Sequence, residues 1–299
     1  MADTSGMAEI RGIDINKLAI ALEEEADIFR KFCNVTNTAA REIRWYQKGT
    51  GTNGILDSTD TTGITASQIA NVAPGARPVV VEQSWTRKTS YVRKYFVESP
   101  TIPDEDIKDS DIDILAGNLR DLTLAISRQI DARIWNVMTE DQTAVDINTN
   151  ATAAAWDAAS YTNVNIVEDL MEAKQNIQVN SGFSTDGAIL FLSPKDHRSM
   201  INWLIDGKGS SIPSFSSARL ADGVVMEILG LRVVVSNNVT ADYAAVVIPQ
   251  KAVTWKAFTP ISSAVITEPG IGKKIRIWEE GEAILERPKC VNLITNTQT

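Results

Sequence analysis

The chain has 299 residues, 43% hydrophobic and 22% charged, and its 29 Lys and Arg against 38 Asp and Glu leave a net charge of −9. That length suits one or two domains with a substantial core, and the acidic balance argues against gripping phosphate backbones as the main task. No apolar run approaches the roughly 20 residues of a membrane-spanning helix, and the two cysteines, Cys33 and Cys290, form no CxxC pair and read as reduced, packed thiols.

In chain order, residues 1–12 are small and polar and read as an arm, without the basic and apolar regions of a signal peptide. Ile15, Leu18, Leu22, Ala26, Phe29 and Cys33 recur at steps of three and four, which predicts a docking helix. Lys48 to Gly63 is crowded with Gly, Thr, Asn and Asp, and Pro74-Gly75 adds a further turn. Val79–Val81 and Trp85 to Val97 are rich in β-branched and aromatic residues with partial alternation. The segment 45–98 therefore reads as a long two-stranded projection with a stiff return strand. A segment of that length with little core of its own needs a partner. Arg87, Lys88, Arg93 and Lys94 make the return strand basic, which suits an acidic neighbouring surface; the alternative is a solvated edge guarded by Lys and Arg. Trp85, Arg87, Lys88, Tyr91 and Arg93 are the candidate inter-subunit contacts.

Pro100 and Pro103 end that strand, and Asp104, Glu105, Asp106 and Asp109 precede a long helix over Ser110–Met138. Leu115, Leu119, Leu122, Ile126, Ile130, Ile134 and Val137 form its apolar stripe, and Ser110 with Asp113 reads as a capping box. Arg120, Asp121, Arg128, Asp131 and Arg133 are assigned to the wet face. Asp109, Asp111 and Asp113 do not make a calcium loop, because Ile114 and Arg120 occupy its glycine and glutamate positions.

Residues 140–160 read as a polar connection, followed by a helix over Asn165–Ile177 and a buried strand over 187–192. Ser193-Pro194 starts a further helix, 207–223 reads as an exposed loop, and 225–235 as strand, Gly turn and strand. Five short strands then follow: Ala244–Ile248, Val253–Phe258, Ala264–Glu268, Lys274–Trp278 and Ala283–Glu286.

Little catalytic chemistry is legible. The one histidine, His197, sits in a first helical turn and reads as a surface or capping residue. Without a second His or a Cys cluster the usual zinc sites are excluded, and no GxSxG, HExxH or GxGxxG is present. Gly207-Lys208-Gly209-Ser210 lacks the P-loop spacing. The seven tryptophans look like core and interface anchors. No catalytic residue, cofactor or metal is assigned.

The order of parts resembles the major capsid protein of tailed double-stranded DNA viruses, the Hong Kong 97-like fold. The likeness is carried by the helix ending Ile130-Asp131-Ala132-Arg133-Ile134-Trp135, by Ala188 to Trp203, and by Ile228 to Asn238 with Gly281 to Val291. It implies an α+β fold: an N-terminal arm and helix (1–44), an extended β loop (45–98), a peripheral domain with the spine helix (99–149), an axial domain (150–245) and strands returning to the peripheral domain (246–299). It also implies pentamers and hexamers closing into an icosahedral shell around packaged DNA held without sequence-specific binding, with no enzyme activity and no membrane partner. A portal and decoration proteins are further implied partners. Because only a short arm precedes the first helix, scaffolding is expected from a separate protein. The location implied is the virion capsid, assembled in the host cytoplasm. An encapsulin-like nanocompartment shell is the alternative, and a soluble α/β enzyme with an unrecognised carboxylate site a distant one.

Overall fold

A computed structural model describes residue 19 and residues 28–48, 73–77, 85–109, 114–204 and 227–299. The helix expected over 15–33 does not reach Cys33: Ala19 is helical, but Arg30–Phe32 is a single 3-10 turn that passes directly into strand β1 (Asn34–Asn37). Strands β2 (Glu42–Lys48) and β3 (Trp85–Tyr91) pair antiparallel as a two-stranded ribbon. The expected Pro74-Gly75 turn is present, with Gly75 at φ +85° and the Ala76 N–H donating to the Ala73 carbonyl. The rest of the expected projection, the 207–223 loop and the Ser110 capping box lie outside the described residues.

The return strand expected as one piece is two. It breaks at Val92, whose N–H donates to the Arg41 carbonyl at 2.9 Å, and resumes as β4 (Arg93–Glu98) in a different sheet. Short strand β5 (Ile102–Pro103) and helix α1 (Asp104–Asp109) follow, with α1 occupying a stretch expected only as a charged lead-in.

The spine helix α2 spans Ile114–Met138. Leu119, Ile126, Ile130 and Ile134 of its predicted stripe are buried, while Leu115, Leu122 and Val137 are half-buried. Two residues assigned to its wet face are not there. Asp131 is 2% exposed and its carboxylate accepts the N–H groups of Ile28 (2.9 Å) and Phe29 (3.2 Å); Arg133 reaches Glu282. The N-terminal segment covers that side of the helix, which turns a nominally polar position into a cap for the 3-10 turn.

The helix lies across a five-stranded sheet ordered β1-β11-β12-β4, with β5 also paired to β12. Strand β11 (Val253–Glu268) and strand β12 (Gly272–Leu285) each merge two of the expected short strands. The break expected near Pro260 is instead a pair of register shifts between Ala257 and Ser262, and Glu279-Glu280-Gly281-Glu282 continues as strand. Gly281 is required there, since a Cβ would run into the Trp255 indole.

The second sheet is ordered β6-β13-β10-β7-β9-β8. Its strands are β6 (Asn148–Ala151), β7 (Ile189–Leu192), β8 (Glu227–Ile228), β9 (Leu231–Val235), β10 (Tyr243–Val247) and β13 (Val291–Thr295). Strand β6 occupies part of the expected polar connection. Strand β13, grouped by sequence with the strands returning from 246 onward, runs between β6 and β10. Helix α3 (Ile166–Ser181) buries Ile166, Leu170, Ala173 and Ile177 against this sheet and ends on Gly182 at φ 70°. Helix α4 (Pro194–Asn202) starts as its sequence predicts, the Ser193 hydroxyl accepting the Asp196 N–H. Leu229 (φ 52°) and Gly230 (φ 75°) form the tight turn between β8 and β9, both left-handed as such a hairpin turn demands. Trp135, Trp156, Trp203 and Trp255 are fully buried in the core.

Candidate assembly surface

The ribbon has two chemically different faces because successive strand residues point to opposite sides. One face carries Ile43, Trp45 and Gln47 opposite Ser90, Lys88 and Thr86. It lies against the body: the Trp45 Nε1–H donates to the Leu285 carbonyl at 3.0 Å, and Lys88 Nζ sits 3.1 Å from Asp146 Oδ2. The other face carries Glu42, Arg44 and Tyr46 opposite Tyr91, Thr89 and Arg87. Tyr46 is 65% and Tyr91 67% exposed, large values for aromatic side chains.

The five candidate contacts therefore separate. Arg87 and Tyr91 stand on the outward face, together with Tyr46 and Arg44, which the sequence reading missed. Lys88 is on the inward face and is spent on Asp146. Arg93 lies beyond the break and pairs with Glu282, its Nε 3.2 Å from Oε2. Trp85 pairs through its backbone with Lys48; its side chain lies outside the described residues. Arg44 is held by Glu42, Nε to Oε1 2.6 Å, and the hydrogen bonds between them, with their opposite charges second, push Glu42 below the usual carboxylate range and Arg44 above its own.

Below the ribbon's root, Glu279, Glu280 and Glu282 lie buried in mid-strand on β12. Cations from four separate segments converge on them. Arg30, from the 3-10 turn, reaches Glu279 at 2.8 Å, and Arg41, just before β2, reaches Glu280 at 3.3 Å. Lys94 of β4 approaches Glu280 at 3.8 Å, and Arg133 of α2 donates through Nε to Glu282 at 3.0 Å. Oε2 of Glu280 and of Glu282 accepts no hydrogen bond, so Arg41 and Arg93 act there as nearby charges rather than as donors. Tyr95, half-buried close by, is pushed up to about 12 by desolvation and then by the negative field of Glu282. This cluster joins the 3-10 turn, the ribbon root, the edge strand β4 and the spine helix at one strand. The alternation of β12 gives it no sequence signature, and only the convergence of distant basic residues reveals it.

Other titratable groups serve the fold. Ser193 and Gln298 both hydrogen-bond Asp196, whose carboxyl burial pushes up. Trp156 Nε1–H donates to Asp169 at 2.9 Å, and burial pushes that carboxyl up as well. His197 does not cap its helix; it is half-buried, its imidazole pushed down by burial. Both cysteines are buried. Among the described residues no three His, Cys, Asp or Glu side chains gather as metal ligands, and no helix is long and apolar enough to cross a membrane.

A ribbon on an α+β body, with a long helix laid across one sheet and a second sheet flanked by helices, is the architecture of a major capsid protein of Hong Kong 97-like fold. Residues 101–282 match the family described as phage capsid protein, and the chain belongs to that family. No curated protein matches the sequence. Among solved structures, the capsid of the cyanophage P-SCSP1u superposes with a TM-score of 0.66 at 13% identity, covering 90% of this chain and 88% of that one. The mature capsid of bacteriophage PhiM1 gives 0.63 at 14% identity, covering 91% and 88%. A virus-like particle from Pyrococcus furiosus gives 0.60 at 10% identity, covering 94% and 98%. At these identities the likeness is one of fold.

Proposed function

We propose that the chain assembles through pentamers and hexamers into a closed icosahedral shell around packaged double-stranded DNA, in a virion put together in the host cytoplasm. The observation that carries this reading is the outward ribbon face. Tyr46, Tyr91 and Arg87 are presented by a two-stranded element whose other face is fastened to the body, in a chain of the phage capsid family. Tyr and Arg are the side chains most enriched where interfaces carry their energy. Many modest contacts of this kind, closed into a lattice, reinforce one another through effective concentration. Segment 45–98 is then the strap across a neighbour. Residues 99–149 with the long strands of the five-stranded sheet form the peripheral unit, and 150–245, joined by β13, the axial one. The net charge of −9 suits a wall that encloses DNA without binding its sequence. The role is structural rather than enzymatic, and a separate scaffolding protein, a portal and decoration proteins are its partners.

Negative-stain electron microscopy of the purified protein, alone and co-expressed with a scaffold from the neighbouring gene, tests this. Closed shells or capsomer rings are the expected result, with DNA rather than an enzyme cargo in particles from infected cells. A homogeneous monomer under both conditions would overturn it. Deleting residues 50–78 should leave a cooperatively folded but non-assembling protein.

A further inference from the structure

An open groove of about 850 Å³ runs along the outer face of α3. Its floor is the helix face that the six-stranded sheet does not use, where Glu168, Met171, Glu172 and Gln175 follow one another at helical spacing. Its far wall is the β8–β9 turn at Leu229, held in place because Lys174 Nζ donates to the Leu229 carbonyl at 2.8 Å. Met171 is 57% exposed, a large apolar side chain in the middle of the groove. Glu168 accepts only a neutral donor, Asn165 Nδ2 at 2.8 Å, and among the described residues neither it nor Glu172 has a cation within ion-pair range. Their combined negative field helps push the Asp169 carboxyl up, after burial. The groove is thus apolar at its centre, with the carboxylates of Glu168 and Glu172 on one side and the Lys174 ammonium, engaged by the Leu229 carbonyl, on the other.

We propose that this groove seats the outward ribbon face of a second copy of the chain. The inference rests on the reading of the ribbon as an inter-subunit contact and names the surface it meets. The chemistry is complementary. Tyr46, directly across the ribbon from Arg87, offers an aromatic ring for the Met171 thioether, a favourable sulfur–aromatic contact. Arg87, which has no carboxylate within ion-pair range among the described residues, faces the unpaired rim of Glu168 and Glu172. The lengths agree: seven strand residues span roughly 23 Å, and the helix from 166 to 178 covers about 20 Å. The ribbon cannot supply this contact to its own groove with the same face that faces away from its body, since the opposite face is fastened at Leu285 and Asp146. Two different patches on one chain make a head-to-tail contact, and such a contact closes into a ring when its rotation permits.

The test uses assembled particles of the full chain. Tyr46→Cys and Met171→Cys are combined in one chain; both native cysteines are buried and do not compete. Mild oxidation should give a ladder of covalent multimers on a non-reducing gel, absent from either single variant. In parallel, R87E and E168R/E172R should each lower particle yield by about tenfold or more through like-charge opposition, and the three changes combined should restore it. Thermal midpoints of the unassembled variants check that these exposed substitutions leave the fold intact. If R87E abolishes assembly while E168R/E172R assembles normally and no ladder forms, the groove is the wrong seat and the ribbon reading survives. If R87E assembles at full yield, the ribbon reading itself fails, and the groove proposal with it.

Discussion

Replacing Glu282 by Gln should destabilise the protein by about 2 kcal/mol. The Glu282 side chain is 0% exposed, that of Arg133 20% and that of Arg93 57%. Removing one partner of a fully buried ion pair costs roughly 3–5 kcal/mol, because the other charge is left without compensation. Arg133 keeps a fifth of its exposure and so recovers part of its hydration. The amide that replaces the carboxylate would still accept one hydrogen bond from it, which brings the figure below that range. Arg93 is mostly solvated, so its share is that of a surface pair, about 0–1 kcal/mol. Arg93→Ala should therefore cost under about 1 kcal/mol and Glu282→Gln clearly more. Urea unfolding of the unassembled protein, followed by tryptophan fluorescence, measures both. Equal midpoints for Glu282→Gln and the parent, or a larger loss from Arg93→Ala than from Glu282→Gln, would refute the argument that β12 is anchored through buried charge.

Asp131 is pushed up from the usual carboxylate range by burial, against the opposing pull of the Ile28 and Phe29 N–H groups. The folded chain thus holds this proton more tightly than the unfolded one, and its contribution to stability falls as pH rises from the unfolded pKa through the raised one. Asp131→Asn should remove that slope, read as the difference between variant and parent in stability measured across acid pH. His197 is pushed down by burial, so acidification protonates the unfolded chain first, and stability should fall as pH drops below the ordinary histidine value. Since it is the only histidine, His197→Gln should flatten stability between about pH 7.5 and 5.5, and the single imidazole resonance should titrate below its ordinary value. Gly281→Ala drives a methyl into the Trp255 indole and toward the Lys256 carbonyl; a loss of about 1–3 kcal/mol by the same urea assay is expected.

What was legible in the sequence was local. The stripe of the spine helix, the Ser193-Pro194 start of α4 and the Leu229-Gly230 turn each follow from residues within one or two turns of each other, and each is where the sequence puts it. What was not legible depends on a distant partner. Asn148-Thr149-Asn150-Ala151 has no β-forming composition; it is a strand because β13 pairs with it and because buried amides close the gap, Asn148 Nδ2 donating to the Val291 carbonyl and Asn292 Nδ2 to Asn150 Oδ1. Asp131 is buried by a segment a hundred residues earlier in the chain.

The candidate contacts show the same division at finer scale. Composition placed Trp85, Arg87, Lys88, Tyr91 and Arg93 on one basic strand, but a strand has two faces, and the break at Val92 moves Arg93 into another sheet. Period two, applied from the inward anchor Lys88, leaves Arg87 and Tyr91 pointing out and adds Tyr46 and Arg44 from the paired strand. The assignment of the inward side needed Asp146 and Leu285, which no local pattern connects to the ribbon. Glu279, Glu280 and Glu282 make the converse case. In sequence they look like a solvated turn, since three carboxylates and a glycine rarely run through a core. Five cations drawn from the N-terminal turn, the ribbon root, β4 and the spine make that burial tolerable. The ribbon's root is therefore held to the body by charge rather than by apolar packing alone. A ribbon set on such an anchor keeps its direction, and under the proposed strap role a defined direction would let its outward face meet the same surface on every neighbour.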